Sequence, residues 1–142
     1  MGDNSIPDHI VRYPTRAAID RLVVFFDLRN EPNMQDWEIE VADSARCVEF
    51  LAGYENFSLD ADERFTFMWT ILQSFDESEI DLAASLDWQK VLWLIESEIE
   101  LHIYTVWHWS ALRINSIDYA WRVTPFMREI LVRHCERFDA TA

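Results

Sequence analysis

Apolar side chains recur along this chain at helical spacing. Trp88, Leu92, Ile95, Ile99, His102, Val106 and Trp109 fall alternately four and three residues apart. That is the seam of a helix packed along one face. It predicts a single helix over residues 86–112, with Ser85 as its cap. The segment LHIYTVWHW also has the β-branched and aromatic content of a strand, and a short β-hairpin pairing it with residues 117–123 is the alternative. The seam crosses the disputed segment without losing phase, which favours the helix.

Four further helices are predicted. Thr15 caps a first, reaching about Leu28, with Ile19, Leu22, Val23, Phe25 and Phe26 on its apolar face. Asn33 caps a second with Asp36 in its first turn. Its stripe is Trp37, Val41, Ala45, Val48 and Ala52, Gly53 is its stop, and Ile39 and Phe50 align on the opposite side. Asp60 with Glu63 makes a capping-box-like start for a third, buried through Ala61, Phe65, Met68, Leu72 and Phe75. Residues 76–85 read as a polar connection with a helical turn at 80–84. Thr124 followed by Pro125 opens a last helix to about Phe138, burying Phe126, Ile130, Leu131 and Cys135 or Phe138. The expected fold is all-α: one domain over 1–142, a bundle of about five helices, with 1–13 an irregular arm.

Composition agrees. Of 142 residues, 50% are hydrophobic and 14% aromatic, which excludes a disordered chain. Two glycines and four prolines leave little material for a many-turned β-protein. Cys47 and Cys135 are the two cysteines, read as reduced core thiols rather than a disulfide framework. The N-terminal residues show no basic region followed by an apolar one, so no secretory signal is expected. Gly2 invites a myristoylation reading, but no polybasic second signal accompanies it. The longest uncharged stretch, residues 101–112, is well short of the roughly 20 residues that cross a bilayer. A soluble cytoplasmic protein is expected.

Charge adds the first functional information. The net charge is −14. Between Glu31 and Glu100 there are 18 acidic and 3 basic residues, while the flanking segments together sum to +1. Such self-repulsion costs stability and brings solubility or attraction for a basic partner. With one lysine, Lys90, the chain is a poor candidate for binding nucleic acid through phosphates. Its predominance of arginine fits genome composition, or a use of bidentate pairs with carboxylates.

Two candidate faces follow. On a helical wheel Trp93, Glu96, Glu100, Tyr104 and Trp107 lie within about 80° of one another. Rings flanked by carboxylates suit a basic surface, because the rings give rigid contact area and the carboxylates accept charge-assisted hydrogen bonds. The alternative is that both faces of this helix are core, with Glu96 and Glu100 paired to Arg128, Arg133 or Arg137. The second face is the acidic set Asp36, Glu38, Glu40, Asp43 and Glu49, continued by Glu55, Asp60 and Asp62, or else an ordinary solvated helix surface. Arg46 is the one cation between Glu31 and Glu63.

No metal or cofactor site is expected. A di-iron bundle needs paired Glu-x-x-His steps; Glu98 and His102 are four apart, and His102 lies on the apolar seam. His108 and His134 lack a second ligand at helical spacing. There is no CxxC, HExxH, glycine-rich phosphate loop or GxSxG elbow.

The segments MQDWEIEVAD, FTFMWTILQSFD, LHIYTVWHW and AWRVTPFMR resemble a group of small, acidic, mostly uncharacterised bacterial proteins, over roughly Thr15 to Arg133. In size, charge and lack of catalytic motifs the chain is also similar in type to the immunity proteins that neutralise bacterial toxins; this likeness carries over no functional residue. The expected function is a non-enzymatic acidic binding protein that blocks a basic partner, foremost a toxin domain. The alternatives are a nucleic-acid mimic, and a small helical enzyme or ligand-binding domain with an aromatic pocket.

Overall fold

A computed structural model describes residues 8–114 and 120–139. Among them are seven α-helices and no strand: α1 Arg16–Phe26, α2 Trp37–Glu40, α3 Cys47–Asn56, α4 Ala61–Glu77, α5 Leu86–Ser97, α6 Ile99–Trp109 and α7 Thr124–Phe138. Short 3-10 turns stand at Asp8–Ile10 and Leu82–Ala84. The all-α class holds. The count exceeds five because two of the expected helices are each divided. By their contacts the residues form two compact units, Tyr13–Val91, and Met1–Arg12 with Leu92–Ala142.

In Tyr13–Val91, α4 is central and packs on α1, α2 and α3. Every residue from Phe65 to Leu72 is buried, so α4 is covered all round rather than along one stripe. Its start is the capping box expected: Asp60 accepts from the Glu63 amide at 2.8 Å, and Glu63 accepts from the Asp60 amide at 2.8 Å. Glu63 is fully buried and is neutralised by Arg21 at 2.6 Å. Thr15 caps α1 by accepting from the Ala18 amide at 3.1 Å, and Ser85 caps α5 through the Trp88 amide at 3.1 Å.

The second expected helix is broken between Glu40 and Cys47. Polar side chains there take over the backbone groups that a continuous helix would use. The Asp43 carboxylate accepts from the Ala45 amide at 2.9 Å, the Asp43 amide donates to Ser74 Oγ at 3.0 Å, and Arg29 donates to the Glu40 carbonyl at 2.8 Å. The expected stripe changes with it. Trp37 and Val41 are buried, but Ala45, Val48 and Ala52 are exposed, and α3 packs through Cys47, Phe50, Leu51 and Tyr54. Gly53 is not a stop: α3 continues to Asn56.

The expected single helix over 86–112 is interrupted at Glu98 (φ −124°, ψ 46°). Ser97 Oγ donates to the Trp93 carbonyl at 2.7 Å, a back-bond of the kind that bends helices. The seam keeps its phase across the break: Ile95, Ile99, His102, Val106 and Trp109 are buried and Leu92 half-buried. Residues 101–109 are helical and 120–123 form no strand, so the hairpin is excluded for them; residues 117–119 of its other arm lie outside the described residues. α6 packs on α7. Thr124 Oγ1 donates to the Trp109 carbonyl at 2.9 Å, and Arg128 donates to the carbonyls of Ser110, Ala111 and Ile114 at 2.7–3.1 Å. A cation over the carbonyl end of a helix offsets its dipole. Ile130, Leu131 and also Met127 are buried in α7, while Phe126, Cys135 and Phe138 are half-buried. Of the N-terminal arm, the 3-10 turn buries Ile10; residues 1–7 lie outside the described set.

Candidate functional site

The first candidate face is carried by α5 and α6. Trp93 is 64% exposed. Tyr104 and Trp107 are half-buried, with rings stacked at 6.2 Å and 12°. Glu96 and Glu100, however, are engaged by α7. Arg133 grips both carboxylate oxygens of Glu96, and His134 Nε2 donates to Oε2 at 2.9 Å. Arg137 pairs with Glu100. These carboxylates join α7 to the α5–α6 junction, so the face offers an exposed indole beside neutralised acids.

That role has a pH signature. The hydrogen bond from Arg133 is the main influence holding the Glu96 carboxyl below the usual glutamate range; partial burial opposes it and His134 adds to it. A depressed carboxyl contributes stability that is present above its unfolded pKa and is lost as pH falls through the folded one. Thermal unfolding midpoints measured from neutral pH into the acid range should fall more steeply for the wild type than for Glu96→Gln. Parallel curves would show that the pair carries no pH-dependent stability.

The second candidate face lies on α2 and the turn after it. Asp36 and Glu40 are exposed and Asp43 half-buried. Glu40 accepts from the Asp36 amide at 3.0 Å, and Asp43 accepts from Ala45, so both carboxylates also fold the local chain. Glu38 is pushed above the usual range by burial, with Asp36 and Glu40 adding repulsion. Within Tyr13–Val91, ion pairs join Arg16 to Asp20, Arg21 to Glu63, Arg29 to Glu31, Arg46 to Glu49 and Lys90 to Glu55. With 17 acidic and six basic residues, this unit carries a net charge of −11.

No family model, curated protein or solved structure matches the chain. Its chemistry therefore stands on its own residues. Both cysteines are free thiols, and burial raises Cys47 to about 11, which keeps it protonated and unreactive at neutral pH. Burial holds His108 below its ordinary value, stacked on Trp121 at 5.5 Å. Among the described residues no group of three or more His, Cys, Asp or Glu side chains could hold a metal ion. No described helix is long and apolar enough to cross a membrane.

Proposed function

We propose that this protein is a non-enzymatic acidic inhibitor that binds and blocks a basic protein, as a cytoplasmic immunity protein neutralises a bacterial toxin. The observation that carries this reading is the net charge of −11 on Tyr13–Val91. This unit holds 17 acidic residues against six basic ones, and Arg16, Arg21, Arg29, Arg46 and Lys90 already stand in pairs within it. A unit that repels itself in this way attracts a basic surface over a Debye length and speeds encounter with it. A toxin that acts on nucleic acid has a basic cleft, and occupying that cleft is sufficient for inhibition.

The test is affinity capture from the native host at low and moderate salt. A basic protein should be retained, its activity should be suppressed by the purified chain, and its association rate should fall as salt rises. Retention of neutral or acidic proteins alone, or a captured partner whose activity is untouched, would remove the inhibitor reading.

A further inference from the structure

A groove of ≈ 250 Å³ opens beside α1 and α3, lined by Phe25, Phe26, Glu49, Ala52, Gly53 and Phe57, with Asn56 at its edge. Two of its rings are out in solvent: Phe25 is 37% and Phe57 42% exposed, with ring centroids 5.7 Å apart. Phe26 closes the floor, its ring edge-on to Phe57 at 5.3 Å. Val48, one helical turn before Ala52, is 60% exposed and prolongs the apolar surface along α3.

Size and charge select the occupant. The groove is below the roughly 300–1,000 Å³ of a small-molecule pocket and suits one large anchor side chain of a protein partner. Its lining holds one carboxylate, Glu49, paired with Arg46, and Arg21 lies over the Phe25 ring at 5.6 Å paired with Glu63, so the groove's own rim is close to neutral and the surrounding unit sets the field. The groove belongs to the unit of net charge −11, and the whole chain carries −14. That field opposes a second copy of this chain and favours a positively charged segment. We infer that this groove is the anchor pocket for the basic partner, taking one aromatic or large aliphatic side chain borne on a positively charged segment. The inference rests on the inhibitor reading and adds where, and by what kind of side chain, the partner is held.

The probe is a synthetic Lys/Leu amphipathic helix of about five turns, compared with Lys/Ser and Glu/Leu peptides of the same length. The Lys/Leu peptide should bind more tightly than either control. Ala52→Arg, at an exposed position, fills the groove, and Phe57→Ala removes a wall. Each should weaken Lys/Leu binding roughly tenfold, the scale of a lost anchor contact, and should weaken Lys/Ser binding less. Lys/Leu binding no tighter than Lys/Ser binding, or wild-type affinity in both variants, would overturn the inference. So would self-association of the wild type that Ala52→Arg abolishes, because a second copy would then own the groove. Repeating the host capture separates the two readings. A basic partner held equally well by Ala52→Arg would end the groove assignment and leave the inhibitor standing. No basic partner on the wild type would end the inhibitor reading, and the peptides would still decide the groove.

Discussion

Replacing Phe67 with alanine is expected to lower the free energy of unfolding by about 3–5 kcal/mol, the range for a large buried aromatic. Phe67 sits on α4 with no exposed surface. It stacks on Phe26 at 4.0 Å and meets Phe50 edge-on at 5.1 Å. Truncation removes the transfer free energy of the ring, two aromatic contacts worth about 0.5–1.5 kcal/mol each beyond area, and leaves a cavity that three helices would have to move to close. Phe57→Ala is the internal control. That ring is 42% exposed, so less apolar area returns to water and little cavity forms, and the cost should be about 1 kcal/mol. Chemical denaturation with an unchanged m-value checks both. A loss at Phe67 no larger than that at Phe57 would mean that the three rings are not a packed cluster.

What could be read from the chain in advance was whatever depends on neighbours in sequence. Thr15, the Asp60–Glu63 box and Ser85 each mark a helix start, because a cap is a bond between residues three apart, and Pro125 marks another through its fixed φ and missing amide proton in the first turn. The seam through Ile95, Ile99, His102 and Val106 was legible for the same reason. The breaks were not. The interruption at Glu98 accompanies a local bond from Ser97 Oγ to the Trp93 carbonyl, which a serine in an unbroken helix can also make, and the one after Glu40 depends on Arg29 and Ser74, distant in sequence. Surplus negative charge was legible as a sum, but its distribution into pairs was not. Arg128, Arg133 and Arg137 were equal candidates as partners of Glu96 and Glu100; the packing of α7 brings Arg133 and Arg137 there and sends Arg128 to the carbonyls after α6. The groove left no clear sequence signal. Phe25 falls on the apolar face of α1 by periodicity, yet it is 37% exposed, which depends on packing that periodicity does not carry.

Gly53 shows the same point in a form that can be measured. By propensity alone Gly53→Ala should stabilise α3 by up to about 1 kcal/mol, since glycine is the costlier residue inside a helix. The structure reverses the sign. A β-carbon built at Gly53 would lie 2.2 Å from Cε1 and 2.7 Å from Cζ of Phe26, well inside contact distance. The ring has no easy retreat: Phe26 is 3% exposed, stacked on Phe67, and met by Phe50 at 5.9 Å and Phe57 at 5.3 Å. Overpacking of this kind costs about 1–3 kcal/mol, which outweighs the gain in propensity. Gly53→Ala should therefore lower the unfolding midpoint, although Gly53 is helical and its φ is not positive. Phe26→Ala alone should also destabilise, by leaving a cavity. Combining the two should cost less than the sum of the singles, because the methyl group then enters space the ring has vacated. An additive double mutant, or a stabilised Gly53→Ala, would mean that Phe26 does not press on α3 and that the floor of the groove is built differently.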